Sequence, residues 1–418
     1  MPQINSLLDS QNVKNPLVSE ISQTLQGPKE PRDKFVFIGV LVLGILFVFS
    51  GLVYALSSFG YWRGKEPVSA TTSTIGLVSK SKEAGNITGN NLGDTPSWIN
   101  GSYTTKEEEA IWKNRRPLGI MINNHTEARP QSCLYNADIV YEAVAEGGIT
   151  RFLAVYQTKD CEKVGPVRSA RVYYEDWNAE YNGIYAHWGA AYQDKNNPSV
   201  TFPEADAYLK VNELNMPDLD QMWLGDLAYW RLDRPGKAPE HTGYTSTKRL
   251  WDAYTIKYPE NDWRIVQPFD SWKFKDDAES SKRPQKGALE FDFWETTPGY
   301  NVKWEYDSAT NDYKRYQGGE MVKDADTGKE IRAKNVIVQF QKESSVGDKK
   351  NHLMYQTLGT GEAQIFRDGQ KITAVWSKQS PRSRTKYYDS AGNPVEFARG
   401  QMWVEIVPSG NTVSYQTN

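Results

Sequence analysis

The sequence predicts an α/β or α+β ectodomain followed by an all-β domain, with one transmembrane helix before both. Three observations predict this fold class. A long uncharged segment lies near the N-terminus, strand and helix patterns alternate in the middle of the chain, and only strand patterns recur after a charged, serine-rich stretch. The 418 residues are enough for about two domains and their extensions.

Composition excludes several classes of protein. The chain carries 49 basic and 52 acidic residues, and this net charge of −3 argues against a general nucleic-acid binder. Two cysteines are too few for a disulfide-dense scaffold or a four-cysteine zinc site. None of the four histidines pair at short spacing. We therefore expect no metal centre and no cofactor.

The first element is an apolar segment at 35–62. Residues 35–56 read FVFIGVLVLGILFVFSGLVYAL, and no charge appears before Arg63. As a helix, these 22 residues rise about 33 Å, enough to cross a bilayer core. The apolar region of a signal peptide is shorter and ends at a small-residue cleavage site. The segment predicts a transmembrane helix, and a buried core helix is the alternative.

Orientation of this helix rests on a small charge difference. Three basic residues, Lys29, Arg32 and Lys34, precede the helix, whereas only Arg63 and Lys65 follow it closely. The positive-inside rule then places residues 1–34 in the cytoplasm as a tail. We expect a single-pass protein of the cell membrane whose bulk is extracytoplasmic.

The predicted α/β domain covers 111–268 and follows a flexible stalk at 63–110. The stalk is rich in Ser, Thr, Gly and Asn. Strand patterns occur at 117–123, 139–146, 149–157 and 183–188, and helix patterns at 169–182 and 246–258.

The predicted β-rich domain covers 289–418 and follows a charged linker at 269–288. Its strand patterns occur at 289–294, 301–306, 335–340, 363–367, 371–376 and 401–407. Asp368-Gly369, between two of these, is a typical hairpin turn.

The two cysteines, Cys133 and Cys161, both fall in the α/β domain. Outside the cytoplasm they can form a disulfide that closes a loop of about 29 residues. Two buried free thiols are the alternative.

A candidate site begins at the Gly147-Gly148 turn. A two-residue hairpin there pairs Glu146 with Ile149 and Val144 with Arg151. In that register Glu142, Glu146 and Arg151 share one face, with Arg151 between the two carboxylates. The alternative is an exposed cross-strand salt bridge of little energetic value.

The run VGPVRSAR at 164–171 adds two arginines. If a helix begins near Ser169, Arg168 and Arg171 lie at its N-terminus, where cations oppose the helix dipole. Two arginines and free backbone N–H groups can together bind phosphate or carboxylate. Pairing with Glu175 or Asp176 is the alternative.

Asn123, His187 and His241 are weaker candidates. Asn123 ends a predicted strand, and strand ends often border ligand clefts. His187 lies in an aromatic stretch, and His241 follows Pro239-Glu240 in a predicted loop. Each of these lone histidines is either a site residue or a structural one.

Several motifs resemble the YerB-like lipoprotein family. ARPQS, ADIVYEA, EGGITRFLAVY and GPVRSAR occur in order, and GTGEAQIFRDGQKITAVWSK and GQMWVEIVP resemble the family's C-terminal domain. The resemblance implies a membrane-tethered, extracytoplasmic bacterial envelope protein with an α/β domain and a β-rich domain, and no established reaction. The family motifs contain the residues Arg129, Glu142, Glu146, Arg151, Arg168, Arg171 and His187.

The sequence also departs from the family pattern. A transmembrane helix replaces the usual lipobox cysteine, and Cys133 stands where glycine is usual. Glu240 is inserted in the loop APEHTGY, which puts a family role for His241 in doubt.

Two hypotheses follow from these observations. The first is a binding protein whose polar face takes an anionic or glycan envelope ligand, and whose β-rich domain contacts a protein partner. The second is a metal-dependent phosphotransferase or hydrolase acting on lipid-linked pyrophosphate, similar in layout to LytR-type phosphotransferases. In the second, arginines stabilise phosphate charge and Glu142 or Glu146 holds a divalent metal.

Overall fold

Residues 91–260 and 269–417 are described in the computed structural model of the protein, and all of them fall in one compact unit. The predicted tail at 1–34, the predicted transmembrane helix at 35–62 and residues 63–90 of the stalk lie outside the described residues. Among the helices of the described ranges, none has both the length and the apolar character needed to cross a bilayer.

Helices occur mainly in the first half of the described chain. In chain order they are α1 (Lys106–Trp112), α2 (Val172–Ala179), α3 (Ala207–Glu213), α4 (Gln221–Leu224) and α5 (Thr247–Lys257). The strands of the same half are β1 (Leu118–Asn123), β2 (Ile139–Glu146), β3 (Ile149–Tyr156), β4 (Ile184–His187), β5 (Asp218–Asp220), β6 (Tyr229–Arg231) and β7 (Gly243–Thr245).

The second half of the described chain is built from strands. They are β8 (Lys273–Lys275), β9 (Lys286–Phe291), β10 (Val302–Asp307), β11 (Asp312–Gln317), β12 (Glu320–Met321), β13 (Arg332–Ala333), β14 (Asn335–Gln341), β15 (Glu343–Ser345), β16 (Leu353–Tyr355), β17 (Gly359–Arg367), β18 (Gln370–Lys378), β19 (Lys386–Asp389), β20 (Glu396–Ala398), β21 (Met402–Pro408) and β22 (Val413–Thr417).

One ten-stranded sheet runs through both halves. Its strand order is β19-β18-β17-β14-β21-β2-β3-β1-β4-β5. The central strand β21 pairs in parallel with β14 on one side and with β2 on the other. The predicted domains at 111–268 and 289–418 therefore share this sheet, and the segment predicted as a linker contains β8, which pairs with β20.

The large sheet is covered on both faces. A six-stranded sheet, with the order β12-β11-β10-β9-β22 and β13 on β11, lies on one face, where Trp304 meets Trp403 at 5.2 Å between ring centroids. Helix α2 lies on the other face, where Trp177 stacks on Tyr141 at 5.6 Å. Because both faces are covered, β1 is buried along its whole length and does not alternate.

The predicted fold class is confirmed in its coarse features: a mixed α/β first part and a β-rich second part. The Asp368-Gly369 turn joins β17 to β18, with both residues at positive φ, as expected for a two-residue hairpin. Helix α2 is shorter than predicted. It begins at Val172 because Arg171 has an extended backbone, and it ends at Ala179.

Candidate functional site

Several of the predicted site residues meet at one edge of the large sheet. β1 ends at Asn123 and β2 ends at Glu146, while β3 runs in the opposite direction and begins next to them. Asn123 and Arg151 are directly paired across β1 and β3. This edge is formed by the carboxyl ends of parallel strands, where ligands commonly bind in open sheets.

The predicted hairpin register was wrong by one residue on β2. Glu146 does pair with Ile149, but Arg151 pairs with Ala143, because a β-bulge interrupts the ladder between Val144 and Glu146. The extra residue reverses the alternation of side chains along the strand. Glu142 and Glu146 therefore lie on opposite faces of the sheet, and of these two carboxylates Arg151 pairs with Glu146.

On the face that carries α2, three arginines surround one carboxylate. Glu146 forms ion pairs with Arg151 through one oxygen and with Arg171 through the other. Arg151 also donates through its other terminal nitrogen to the backbone oxygen of Ser169 at 2.8 Å, and this second contact fixes the orientation of its guanidinium. We call Glu146, Arg151, Arg168 and Arg171 the edge cluster.

Burial and charge have strong effects in the edge cluster. Burial alone would raise the pKa of Glu146, but the charges of Arg151 and Arg171 outweigh it and hold that pKa well below its ordinary value. Burial and the neighbouring charge of Arg171 lower the pKa of Arg151 to about 10. Glu146 and Arg151 are therefore both charged at neutral pH.

Arg168 is the most exposed arginine of the edge cluster. Its side chain is 30% exposed, similar to Glu146 at 27%, and within the described part of the chain its ion pairing is limited to a distant contact of 4.0 Å with Glu240. Arg171, by contrast, is buried and is the N-cap residue of α2, although its side chain makes no capping hydrogen bond. Its Nε atom is buried without a hydrogen-bond partner among the described residues. The predicted placement of both arginines near the start of this helix agrees with the structure.

The second half of the chain closes one side of the edge cluster. His352 forms an isolated β-bridge with Glu146, and its Nδ1 atom lies 2.7 Å from Asp348. Burial, together with the charge of Arg171, lowers the pKa of His352 despite that carboxylate. Nothing in the local sequence around His352 links it to residues of the first half.

Glu142 belongs to a different network on the opposite face. One of its oxygens pairs with Arg315 of β11, and the other accepts from Thr150 at 2.6 Å. Arg315 also pairs with Glu405 of β21 at 2.6 Å, and all three of these ionic side chains are fully buried. We call Glu142, Arg315 and Glu405 the inner network. Burial, and the nearby charge of Glu142, raise the pKa of Glu405 to about 8 despite Arg315.

Arg129 lies between the two sheets rather than in the edge cluster. Its Nε atom donates to the side-chain oxygen of Asn124 at 3.1 Å, and one terminal nitrogen donates to the backbone oxygen of Gly299 at 2.9 Å. Its guanidinium also lies over the ring of Tyr300, 4.8 Å from the centroid. These contacts tie the turn after β1 to the six-stranded sheet.

His187 is buried in a cluster of its own. Its Nε2 atom lies 2.7 Å from Asp218, and its Nδ1 atom lies 2.8 Å from the backbone oxygen of Gly189. Burial acts to lower the pKa of His187, but the hydrogen bond to Asp218 and the charge of Asp220 outweigh it and raise the pKa. The described contacts do not join His187 to the edge cluster.

Cys133 and Cys161 are joined by a disulfide, with their Cα atoms 6.3 Å apart. The bond connects the turn before β2 to the segment after β3. The backbone N–H of Cys133 also donates to Asp324, so this region contacts the second half of the chain.

Three polar residues lie beside Asn123, and only His241 among them was predicted from the sequence, as a weaker candidate. His125 and Glu127 follow β1 directly, and His241 comes from the short turn at 239–241. The rings of His125 and His241 stack at 4.7 Å between centroids. The sequence signal that was available is the run Asn123-Asn124-His125 at a strand end, but His241 is too distant in sequence to be linked with it.

Comparisons with known proteins agree with this architecture. A family described as "Protein of unknown function (DUF3048) N-terminal domain" matches residues 102–260, and its "C-terminal domain" matches 290–404. A Bacillus subtilis (strain 168) protein named "Putative lipoprotein YerB" is 29% identical over 324 residues, covering 77% of this chain and 90% of that protein.

A solved structure is also similar. The crystal structure of the YerB protein from Bacillus subtilis matches with a TM-score of 0.62 and 25% identity, covering 76% of this chain and 99% of the solved chain. The resemblance indicated by the sequence motifs is confirmed. With both domains matched in order, the chain belongs to the DUF3048 family.

Proposed function

We propose that the protein is a membrane-anchored, extracytoplasmic envelope protein that binds an anionic envelope ligand at the edge cluster. The observation that carries the proposal is Arg168. Its guanidinium is partly exposed, and its ion pair among the described residues is a contact of 4.0 Å with Glu240. A ligand phosphate or carboxylate can therefore bind there without displacing a strong ion pair.

The charge balance of the edge cluster supports an anionic ligand. Glu146 already shares its two oxygens between Arg151 and Arg171. Three guanidinium groups against Glu146 and the more distant Glu240 leave one excess positive charge in a partly buried site. Bringing like charges together lowers stability unless another group compensates. A bound anion supplies that compensation, and an acidic glycan or a phosphate group has the required charge.

Three observations support the proposed location. Residues 35–62 have the length and composition of a membrane anchor, and a relative is named as a lipoprotein. A disulfide between Cys133 and Cys161 is also typical of an oxidising compartment. A protein partner for the β-rich part of the chain stays a prediction.

Thermal shift of the purified full chain tests the proposed ligand class. Inorganic pyrophosphate and an acidic peptidoglycan fragment serve as probes, each with and without Mg²⁺. We expect a rise in melting temperature that Arg168→Ala reduces at least by half. Arg249→Ala, which removes the same charge from the exposed face of α5, is the matched control. Equal shifts in the two variants would contradict the proposal.

A metal-dependent phosphotransferase or hydrolase acting on lipid-linked pyrophosphate is the second candidate. Its arginines are in place at the edge cluster. The two carboxylates expected to hold its metal are occupied, because Glu142 pairs with buried Arg315 and Glu146 pairs with two arginines. This observation favours binding over catalysis. Mg²⁺-dependent release of phosphate from a polyprenyl pyrophosphate analogue, lost in Arg168→Ala, would favour the enzyme instead.

A further inference from the structure

Three metal-ligating side chains converge next to the edge cluster. His125, Glu127 and His241 each offer a ligand atom, and these atoms all lie within 4.8 Å of one another. The Nε2 atom of His241 is 3.6 Å from a carboxylate oxygen of Glu127. Two imidazoles and one carboxylate, with room for a water or a substrate, form the ligand set of many catalytic zinc sites.

Asn123 holds the two loops that carry these side chains. Its side-chain oxygen accepts from the backbone N–H of His125 at 2.9 Å. Its side-chain nitrogen donates to the backbone oxygen of Glu240 at 3.2 Å and lies 3.0 Å from Nδ1 of His241. In known metal sites a partner at the second ring nitrogen usually accepts its N–H. Asn123 holds that position beside His241 but donates to Nδ1, so a metal on Nε2 requires the other tautomer of the ring.

Access to the group also suits a metal ion. The side chain of Glu127 is 50% exposed, while that of His241 is buried, so the group is open on one side only.

We propose that His125, Glu127 and His241 bind one divalent transition-metal ion of the zinc class. Nitrogen ligands favour Zn²⁺ and its neighbours over Mg²⁺ and Ca²⁺, which prefer oxygen. The proposal does not depend on the anion site, because it concerns other side chains. Glu240 lies between the two, 4.0 Å from Arg168, so a metal ion here would sit close to the arginines.

The hydrogen bond between Asn123 and His241 gives the proposal a specific test. A neutral ring that accepts this bond at Nδ1 carries its proton on Nε2, and a metal on Nε2 moves that proton to Nδ1. An aspartate at position 123 can accept a hydrogen bond from the Nδ1–H of His241. It can also still accept the hydrogen bond from the backbone N–H of His125. Asn123→Asp should therefore raise metal affinity, as carboxylate–histidine–zinc arrangements do. A purely structural stack of two rings has no reason to respond in this way.

Calorimetric titration of the metal-stripped full chain with Zn²⁺, and separately with Mg²⁺, tests the proposal. We expect one Zn²⁺ per chain and no Mg²⁺ binding at the same concentrations. Glu127→Ala should weaken Zn²⁺ binding at least tenfold, since it removes one of three ligands from an exposed position that leaves the fold intact. Glu204→Ala, at an exposed position on another turn, is the matched control.

The remaining outcomes decide between the two sites. Zn²⁺ binding that Arg168→Ala leaves unchanged, while pyrophosphate binding is lost, would support two separate sites. Absence of Zn²⁺ binding, or binding of equal strength in wild type, Glu127→Ala and His125→Ala, would overturn the metal proposal and leave the anion proposal standing. Circular dichroism of each variant confirms that it is folded.

Discussion

The edge cluster and the inner network are built on the same strand, β2, and differ in charge balance and access. The inner network has two carboxylates and one arginine, all fully buried between the sheets. The edge cluster has one carboxylate and three arginines, and one of its arginines is partly exposed. The comparison teaches that access and an unbalanced positive charge, rather than the presence of ion pairs, distinguish the proposed ligand site from a network that joins two parts of the fold.

The two networks also respond to pH in opposite directions. The pKa of Glu405 is raised on folding, so its contribution to stability is complete below the ordinary glutamate pKa and is lost as pH rises through about 8. The pKa of Glu146 is lowered on folding, so its contribution is complete above the ordinary value and is lost as pH falls. The four variants below test these differences.

The largest effect is expected from Arg315→Ala. This change leaves Glu142 and Glu405 buried without their shared cation, which costs about 3–5 kcal/mol of unfolding free energy. Urea unfolding measures the loss. Arg332→Ala, which removes an arginine of the same small sheet from partly exposed ion pairs, should cost less than about 1 kcal/mol. Similar losses in the two variants would contradict the comparison.

Glu146→Gln should have the next largest effect. Arg151 and Arg171 lose their shared charged partner, which costs about 1–3 kcal/mol at neutral pH. The variant should also lose less stability than wild type as pH falls below about 4. Glutamine has no carboxylate to protonate, so the acid-dependent part of the wild-type stability is absent. Unfolding free energies at several acidic pH values check both points. A variant as acid-sensitive as wild type would show that Glu146 does not carry this dependence.

Glu405→Gln sharpens the comparison as pH rises towards 8. Glutamine keeps the oxygen that accepts from Arg315 and from Trp304 but cannot ionise. Between about pH 5 and 8, wild type should lose up to about 1.4 kcal/mol per pH unit that the variant retains. If the unfolding free energies of the two proteins changed with pH in the same way, the pH dependence would come from a group other than Glu405.

The smallest effect on stability is expected from Arg168→Gln. Because the side chain is partly exposed and its ion pair is long, the unfolding free energy should change by about 0.5 kcal/mol or less. Binding of pyrophosphate should nevertheless weaken, since the accessible guanidinium is gone. A large loss of stability would assign Arg168 a structural role and remove the main support for the anion site.

Strands of the ten-stranded sheet were predictable from the sequence where their apolar runs are continuous. β1, β2, β14 and β21 are buried on both faces, and the patterns at 117–123, 139–146, 335–340 and 401–407 coincide with them closely. The strand β11 was missed because Asp312–Gln317 is mostly polar, although it places Arg315 at the centre of the inner network.

The site was only partly predictable, because its geometry depends on a bulge and on distant pairings. The residue pattern of β2 gives no sign of the bulge beside Ala145. Regular strand alternation therefore predicted Glu142 and Glu146 on one face of the sheet. His241 and His352 reach their partners through loops of the tertiary fold. Local periodicity carries no information about such contacts.

The position of β21 between β2 and β14 bears on how a new molecule is assembled. A chain that emerges from the ribosome or from an export channel in sequence order presents β2 with one unpaired edge until residues 402–408 arrive. Unpaired strand edges recruit other strands, so the incomplete sheet is open to wrong pairing and to chaperones during that interval. Arrival of β21 closes the interval, and resistance to proteases should appear at that moment rather than when the first half has been made.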